Sequence, residues 1–561
     1  MNSPSQPGDV AALVVVGALA AIGALVWLWG DLAGVLFGAG WPHVAIARLP
    51  GVIVRLPARL GDPAAAWPAA ARAQLPGPEG FYAALLLLGG AASALLRFAA
   101  ATALFRDRGA GARWASRGEL RSLRVRSERS ARLTLGHHRG RLLRAEHRHA
   151  LVAFGPPQSG KSAGLAVPAL LEWHGPTVAS SIKTDLLGAT VRRRREFGPV
   201  FVFDPFTLSG VEGQTWSPLH GASTWDGALE VAWRLAAAGE LDQRGVEGGD
   251  FWAVAAEQRL APLLFTAAAT GAGVDTVVRW AYGQGSRELH EALFTLTETA
   301  RDEAQLEGAH AAYDSVRAFE AQADRTRTSI EATVQALLRA YRFTRVVRSA
   351  RSCEITPDRL LDADATLYLI GDAKASKLLR PIFLALLSEV VDRAYERATA
   401  NGGRLERPLL LCLDEAGNVA PLPNLAEIAS TAPSHNIQLI SIFHDLAQAR
   451  SRYGKQAETV VNSHRARMLL PGVADLETLR YFSGLVGEEE ARDYTRTSGT
   501  GGASRSIARR RRPLVAAEAL RQLPDRHALL LYGRLAPVRI RLRMWFEDRR
   551  LRRLGPARGS E

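Results

Sequence analysis

The chain has 561 residues, a length that allows a membrane segment together with two or three folded domains. Hydrophobic residues make up 47% and charged residues 22%, so the composition excludes an intrinsically disordered chain. The formal net charge of +14 favours an acidic partner, either nucleic acid or anionic lipid, but an arginine-rich composition is also typical of a GC-rich genome.

Two apolar runs near the N-terminus predict transmembrane helices. The first, residues 10–30, is uncharged and long enough to cross a bilayer core as one helix. A cleaved signal peptide is the alternative, but this run lacks a basic start and is longer than an ordinary signal-peptide core. The second run, residues 81–105, is apolar except for Arg97, whose side chain can extend toward the lipid headgroups.

A basic flank follows the second apolar run. By the positive-inside rule it lies in the cytoplasm, which places the N-terminus inside as well and residues 31–80 outside. Contact with phospholipid is the favoured role of this flank, and part of a DNA entry path is the alternative. Its arginines are Arg106, Arg108, Arg113, Arg117, Arg121, Arg124 and Arg126.

Residues 151–173 predict a phosphate-binding loop between a short apolar strand (151–154) and a helix (163–173). The eight residues between them match the pattern G-x-x-x-x-G-K-[ST], in which glycines allow the backbone N–H groups to surround a phosphate. Lys161 is predicted to contact the β- and γ-phosphates, and Ser162 to hold Mg²⁺ through its hydroxyl. The loop residues are Gly155, Pro156, Pro157, Gln158, Ser159, Gly160, Lys161 and Ser162.

A buried strand that ends in two carboxylates supplies the acidic partner of that loop. Residues 409–413 are continuously apolar, as expected for a parallel strand covered on both faces. Asp414 is predicted to bind Mg²⁺ through water, and Glu415 to orient the attacking water, so hydrolysis is favoured over simple nucleotide binding. A further strand, 437–443, ends at His444, which is a candidate γ-phosphate sensor or, alternatively, an ordinary solvent-facing loop residue.

The remaining periodicity predicts a doubly wound, mostly parallel α/β sheet interrupted by an inserted all-helical domain. Strands are expected at 177–181, 200–203 and 366–371. Helical periodicity is clearest at 231–238, 251–269 and 311–341. The predicted division is a membrane anchor with two transmembrane helices (1–105), a first part of the P-loop domain (106–225), the all-α insertion (226–345) and a second part with a basic C-terminal region (346–561).

Three further segments have open interpretations. Residues 322–339, with Arg325 and Arg327 near their start, are either a phosphate-backbone contact or, as favoured, the solvated start of an amphipathic helix. The basic run 504–512 lies in a Gly/Ser-rich stretch, which predicts a loop that is either a surface tether or a DNA or lipid contact. Residues 529–534 and 538–545 predict a hairpin that closes the edge of the sheet.

Lysine and cysteine are both rare. The two cysteines, Cys353 and Cys412, have no metal-site spacing and indicate a reducing cytosol for the soluble part. Arginine carries almost all of the positive charge, so the few lysines are conspicuous. They are Lys161, Lys183, Lys374, Lys377 and Lys455.

The phosphate and acidic motifs are shared by all P-loop motors, and several shorter motifs indicate one family among them. Together with the phosphate and acidic motifs, they make the chain resemble the type IV secretion coupling proteins, which are conjugative DNA-transfer ATPases, from the membrane anchor to the C-terminus. The matching segments are 112–115 (ARWA), 155–164 (GPPQSGKSAG), 203–205 (FDP), 216–219 (WSPL), 251–252 (FW), 413–418 (LDEAGN), 445–448 (DLAQ) and 453–454 (YG).

This resemblance implies a RecA-like ATPase that uses ATP and Mg²⁺ and assembles as a homohexamer. It implies a multi-pass protein of the inner membrane with its ATPase domain in the cytoplasm and an insertion that docks substrate. The implied partners are DNA (single-stranded and bound without sequence preference), relaxosome or secreted effector proteins, components of the secretion channel, and membrane lipids.

Two positions depart from the family pattern. Relatives commonly have Gln where this chain has His444, and they tend to have an Arg before that strand, where this chain has Pro433 and its neighbours. That Arg is a suspected trans-acting finger, so we expect another arginine to replace it: Arg450, Arg452 or Arg465.

Two alternative functions stay open. A double-stranded DNA pump of the septal-translocase type would have a long Pro- or Gln-rich linker and a C-terminal winged helix, neither of which the sequence shows. A weakly hydrolysing docking receptor for secreted proteins is the second alternative, and the two departures keep it open.

Overall fold

The computed structural model describes residues 7–106, 111–124, 131–243, 249–499 and 502–556. The chain divides into two compact units, Met1–Ala110 and Gly111–Glu561. The predicted division into four parts is finer than this, and its boundaries stay predictions.

The first unit is helical and packs around aromatic rings. The Trp29 indole donates a hydrogen bond to the carbonyl of Phe81 at 2.6 Å and meets the rings of Trp67 and Phe81 edge-on. A tryptophan buried in this way keeps its N–H satisfied while its ring fills the core. The helices are α1 (Pro7–Phe37), α2 (Leu49–Arg55), α3 (Ala69–Arg72) and α4 (Pro78–Arg106).

Within the described residues, one helix is long and apolar enough to cross a membrane. It covers Pro78–Phe98, and only 11% of its apolar window is buried. The first predicted crossing, residues 10–30, lies within α1, but the side chains of residues 7–21 are outside the described part, and the apolar helix Ile22–Phe37 is shorter. The two-pass anchor therefore stays a prediction.

The second unit is built on an eleven-stranded sheet. In spatial order it runs β2-β1-β13-β12-β9-β3-β8-β7-β4-β6-β5, and β10 pairs with β11 in a separate two-stranded ribbon. The strands are β1 (Thr134–His138), β2 (Arg141–Arg144), β3 (Leu151–Phe154), β4 (Thr177–Ser181), β5 (Val200–Phe203), β6 (Thr366–Ile370), β7 (Leu409–Leu413), β8 (Ile437–Phe443), β9 (Ala466–Leu469), β10 (Glu488–Gly499), β11 (Gly502–Pro513), β12 (His527–Tyr532) and β13 (Val538–Arg541).

Helices cover both faces of this sheet and also form the insertion between β5 and β6. They are α5 (Val167–Glu172), α6 (Asp185–Phe197), α7 (Trp225–Gln243), α8 (Gly249–Thr270), α9 (Val274–Ala281), α10 (Ser286–Thr299), α11 (Glu303–Glu320), α12 (Asp324–Leu338), α13 (Thr344–Arg348), α14 (Pro357–Leu361), α15 (Ala373–Ala400), α16 (Leu425–Thr431), α17 (Leu446–Tyr453), α18 (Ala457–Ser463), α19 (Leu476–Val486), α20 (Ala517–Arg521) and α21 (Arg549–Leu554).

The seven strands from β9 to β5 are mutually parallel, and β7 shows why they read as continuous apolar runs. Its residues alternate between two cores: Leu409, Leu411 and Leu413 join the core on one face, while Leu410 and Cys412 join the core on the other. A strand buried on both faces has no solvent side, so alternation disappears from its sequence. The predicted mostly parallel α/β sheet is confirmed.

Helices α7 to α13 lie between β5 and β6 in the chain and share one hydrophobic core with a face of the sheet. The helical periodicity predicted over 311–341 corresponds to two helices, because α11 ends at Glu320 and α12 begins at Asp324. The buried stripe of α11 stops at Phe319 and resumes only at Ile330, so nothing packs the intervening turn against the core. The guanidinium of Arg327 pairs with Asp324 at 2.6 Å, as expected for a solvated helix start.

Two C-terminal predictions need correction. Residues 504–512 do not form a loop, because they lie within β11, which pairs along its length with β10. At the base of this ribbon, an ion pair joins Arg512 on β11 to Glu489 on β10 at 2.9 Å. The hairpin of β12 and β13 forms as predicted, but β1 and β2 continue the sheet beyond it, so the outer strands are β2 and β5.

Candidate nucleotide-binding site

The glycine-rich loop leaves β3 in the middle of the sheet. Its first N–H, on Gly155, donates to the carbonyl of Phe443 on β8 at 3.0 Å and so fixes the loop to the neighbouring strand. Gly160 has φ +88°, a left-handed conformation that residues with a Cβ avoid. The helix predicted from 163 begins as a π-helical turn, Ser162–Ala166, and continues as α5.

Lys161 lies at the centre of a ring of acceptors. Its side chain is buried, and Nζ donates to the carbonyl of Gly155 at 3.1 Å. The same Nζ lies 3.0 Å from Glu415 Oε1 and 3.3 Å from His444 Nδ1. A buried ammonium is costly unless its charge is compensated, and here Glu415 compensates it.

Ser162 and Asp414 form the second contact between the loop and the acidic strand. The hydroxyl of Ser162 donates to Asp414 Oδ2 at 2.5 Å. Burial raises the pKa of Asp414 to about 6, although the hydrogen bond from Ser162 opposes this shift. In the absence of a cation, the carboxyl group therefore takes up its proton as the pH falls through about 6.

Two buried oxygens of this site have no hydrogen-bond partner in the described part of the chain, Ser159 Oγ and Asp414 Oδ1. A hydroxyl in the loop and a carboxylate oxygen next to Ser162 fit a phosphate group and a hard divalent cation. Among the described residues, no group of three or more His, Cys, Asp or Glu side chains could hold a metal by itself. This small protein ligand set fits Mg²⁺, which takes most of its ligands from water and phosphate.

Glu415 is held in a strained and fully paired position. Its φ is +73°, which is uncommon for a residue with a Cβ. Oε2 lies 2.9 Å from His444 Nε2 and accepts a hydrogen bond from Asn418 Nδ2, also at 2.9 Å. Burial raises its pKa, but the hydrogen bond from His444 and the charge of Lys161 outweigh burial and lower the pKa to about 2.

His444 bridges the two charged groups. Since Nε2 faces the Glu415 carboxylate and Nδ1 faces the Lys161 ammonium, the neutral tautomer with the proton on Nε2 satisfies both contacts. The structure thus places His444 inside the site and not in the solvent-facing position that was its alternative. Its role as a phosphate sensor stays a prediction.

Lys161, Glu415 and His444 form a ring of mutual contacts, which we call the buried ring. Sequence reasoning missed the residues that hold this ring in place. The side chain of Gln448 accepts a hydrogen bond from the backbone N–H of His444 at 2.7 Å, and Asp445 caps α17 through the N–H of Gln448. A Cβ at Gly417 would lie 3.1 Å from the side chain of Gln448, so a larger residue there would require the Gln448 side chain to shift by a few tenths of an ångström. Both Gly417 and Gln448 belong to the family motifs, which was the signal available.

The three candidate finger arginines occupy different places. Arg450 pairs with Glu458 at 2.7 Å and with Glu477, and Arg452 Nε donates to the carbonyl of Gly417 at 2.7 Å. Arg465 is exposed and precedes β9, which is parallel to β3, so it lies at the sheet edge opposite the phosphate loop.

Residues 113–557 match the family described as "Type IV secretory system Conjugative DNA transfer". The chain belongs to this family. The predicted resemblance is therefore confirmed, and the match covers nearly all of the second unit.

Known relatives agree with this assignment. The conjugal transfer protein TraG of Escherichia coli is 24% identical over 405 residues, which cover 67% of this chain and 61% of TraG. VirD4 of Rhizobium rhizogenes is 22% identical over 432 residues, which cover 74% of this chain and 60% of VirD4. The chain thus spans about three fifths of the length of these curated relatives.

A solved structure shares the fold. The plasmid coupling protein TrwB in complex with ADP and Mg²⁺ has a TM-score of 0.56 and 17% sequence identity, and the match covers 77% of this chain and 94% of TrwB. At this identity the similarity establishes only that the second unit shares this fold.

Proposed function

We propose that the chain is a membrane-anchored ATPase of the conjugative DNA-transfer family. It couples ATP hydrolysis to the recruitment and translocation of DNA, or of a relaxase–DNA complex, through a type IV secretion channel. The observation that carries this proposal is the convergence of Lys161, Ser162, Asp414, Glu415 and His444 at one sheet edge, in the unit that matches the family.

ATP and Mg²⁺ are the proposed cofactors. Support comes from Ser159 Oγ and Asp414 Oδ1, which have no hydrogen-bond partner among the described residues, and from the ADP and Mg²⁺ named for TrwB. In this reading the backbone of the loop and Lys161 hold the β- and γ-phosphates, and the Ser162 hydroxyl, with Asp414 acting through water, holds the cation. When bound, Mg²⁺ neutralises charge on the transferring phosphoryl group. A cation near Asp414 also stabilises its ionised form, which burial disfavours.

Glu415 orients the attacking water, and its contacts with Lys161 and His444 keep it a weak base until substrate is bound. A carboxylate with a pKa of about 2 is a weak base. Phosphates that draw Lys161 away would remove one of the two groups that lower this pKa, so Glu415 becomes more basic only when the site is filled. His444 keeps its bond to Glu415 and faces the space that Lys161 leaves.

The wider assembly is part of the same proposal. Pro78–Phe98 supports an anchor in the cytoplasmic membrane, with the second unit in the cytoplasm and two crossings in all. The active form is a homohexamer whose sites are completed by an arginine of the neighbouring subunit, from Arg450, Arg452 or Arg465. Its partners are single-stranded DNA, relaxosome or effector proteins, channel components and membrane lipids.

An arginine that completes the site of the neighbouring subunit can be recognised because it acts in trans. Each of the variants Arg450→Ala, Arg452→Ala and Arg465→Ala is mixed with a Lys161→Ala subunit, and ATP turnover is measured. A finger variant loses turnover alone and regains part of it in the mixture, because each subunit supplies what the other lacks. Parental turnover in all three variants would contradict this assignment.

ATP turnover of the purified full-length protein in detergent tests the function. Stimulation by single-stranded DNA is expected. Stimulation by duplex DNA alone would favour the septal-translocase alternative. Slow turnover that no DNA stimulates would favour the docking receptor, which the paired state of Glu415 and the missing arginine at Pro433 make the second candidate.

A further inference from the structure

A basic cavity lies apart from the nucleotide-binding site. It has a volume of about 820 Å³ and lies between the turn that follows α12 and the start of α15. We call it the α15 groove. Its lining residues are Arg339, Arg342, Phe343, Ala373, Lys374, Lys377 and Leu378.

The α15 groove is positive without compensation. All four of its cations are exposed, none forms an ion pair with another described residue, and no acidic side chain lines the cavity in that part of the chain. Two of the five lysines of the whole sequence lie here, on one face of α15 at positions three residues apart. Arg339 and Arg342 are likewise three residues apart in a 3₁₀ turn, where such residues align.

Another basic cavity offers a useful contrast. The cavity beside β1 and β13 also contains arginines, but Arg541 pairs with Glu547, and Arg543 pairs with Glu172 and Asp548. Glu547 and Asp548 line this cavity and so offset part of its positive charge. No acidic side chain among the described residues lines the α15 groove, so its attraction for an external polyanion is not reduced in this way.

An aromatic ring in the groove indicates which polyanion. Phe343 is 40% exposed, and its ring meets that of Phe206 edge-on at 5.5 Å, which keeps it in place. A fixed, accessible ring beside uncompensated cations combines base stacking with phosphate contacts, the two elements by which proteins hold single strands. Bases stacked inside a duplex are not available to such a ring.

The groove lies on the same edge of the sheet as the phosphate loop. α15 follows β6, whose end is level with the ends of β4 and β7 in the parallel sheet. β6 is four strands from β3, which corresponds to about 19 Å. Helix α15 therefore begins on the edge where ATP is bound and hydrolysed in the proposed function.

We propose that the α15 groove is a single-stranded DNA site in which Lys374, Lys377, Arg339 and Arg342 contact phosphates and Phe343 stacks on a base. This inference rests on the proposed function, because it names where the translocated strand is held. Its contacts are to the backbone and to the face of a base, so it binds without sequence preference.

The first test compares two double charge reversals in the full-length protein. Lys374→Glu with Lys377→Glu changes the groove, whereas Arg480→Glu with Arg521→Glu changes the net charge equally at two exposed positions elsewhere. Anisotropy of labelled oligo(dT), measured across a salt series, should show at least about ten-fold weaker binding for the groove variant. The dependence of log affinity on log salt should become shallower by about 1.4, since each lost phosphate contact on a single strand contributes about 0.7.

The control variant should bind oligo(dT) like the parent. Equal weakening by both variants, or parental binding by the groove variant, overturns the groove assignment while leaving the proposed function standing. A parent that does not bind oligo(dT) at all overturns the DNA-transfer function itself. Binding of a fluorescent ATP analogue by each variant reports that the fold is intact.

The second test isolates stacking from charge. Phe343→Leu should weaken binding of oligo(dT) about ten-fold, whereas Phe343→Trp should bind at least as well as the parent. A strand with abasic sites should bind equally to the Leu variant and the parent, because it has no base to stack. Equal weakening on both strands would mean that Phe343 is structural, and would overturn its role.

Discussion

Two groups of cations at the carboxyl edge of the sheet differ in what neutralises them. Lys161 is buried and already contacts Glu415 and His444, whereas Lys374 and Lys377 are exposed and have no ion-pair partner among the described residues. A buried charge without a partner is costly, so the protein supplies one. An exposed charge is stabilised by water and can stay available for a ligand.

The two groups should therefore respond to their ligands in different ways. In the proposed function, a nucleotide exchanges the Lys161–Glu415 contact for a Lys161–phosphate contact, which would couple nucleotide binding to the charges around Glu415. DNA in the α15 groove displaces only loosely held counterions, so its affinity falls steeply with salt. We therefore expect the buried cation to control hydrolysis and the exposed groove to hold DNA.

The largest expected effect comes from removing the buried cation. Lys161→Ala should lower ATP turnover by at least about 100-fold, because an electrostatic contact in a water-poor site is lost. Turnover of the purified protein under saturating ATP is the measurement, and Lys455→Ala, at an exposed turn, is the matched control. Lys374→Ala should instead lower DNA affinity. Loss of turnover in Lys374→Ala as large as in Lys161→Ala, measured without DNA, would remove the distinction between the two groups.

The next effect concerns the carboxylate that Lys161 neutralises. Glu415→Gln keeps the shape and the contact with Asn418 but removes the charge, so ATP should bind at least as tightly while hydrolysis slows by about 100-fold. Binding of a fluorescent ATP analogue and phosphate release separate the two steps. Parental turnover in this variant would assign the orientation of water to another residue.

The sequence predicted the centre of the sheet well because central parallel strands are apolar on both faces. Strands β3, β4, β5, β7 and β8 have the predicted bounds. β1 and β2 were missed because short polar strands such as Thr134–His138 carry no apolar pattern, and β11 was read as a loop because its run of Gly, Ser and Arg carries no apolar alternation.

The chemistry of the site was predictable only in part. The motifs identified Lys161, Asp414 and Glu415 by type and order, but the ring they form with His444 depends on strand register, which no local pattern contains. The α15 groove joins an insertion turn to a helix that begins more than thirty residues later in the chain. Only the rarity of lysine pointed to Lys374 and Lys377.

A third prediction uses the raised pKa of Asp414. A carboxyl whose pKa is about 6 in the folded protein and near 4 when unfolded binds its proton more tightly when folded. Without ligands, it therefore favours folding at low pH, and this contribution of about 2–3 kcal/mol is lost as the pH rises from about 4 to about 6. Asp414→Asn should lack this loss and be more stable than the parent at pH 8.

Denaturant unfolding at several pH values, with and without Mg²⁺ and ATP, measures this difference. Ligands should stabilise the parent more than Asp414→Asn, because a bound cation interacts with the ionised carboxylate and Asn has no charge to offer it. The exposed Asp525→Asn should follow the parent at every pH. A decline between pH 4 and 6 that Asp414→Asn shares with the parent would assign it to other groups.

The smallest expected effect tests whether the ring needs its support. Gln448 accepts the backbone N–H of His444, so Gln448→Ala leaves that donor without this partner and loosens the contact with Glu415. The loss of one hydrogen bond is worth about 1 kcal/mol, which corresponds to a five- to ten-fold lower kcat.

KM should stay near the parental value, because Gln448 does not contact the phosphate loop among its described bonds. The exposed Gln456→Ala is the control and should keep the parental kcat, whereas a parental kcat in Gln448→Ala would mean that the ring holds its geometry without Gln448. A fall in kcat with salt-insensitive KM would separate this effect from any change in the α15 groove, whose contacts weaken with salt.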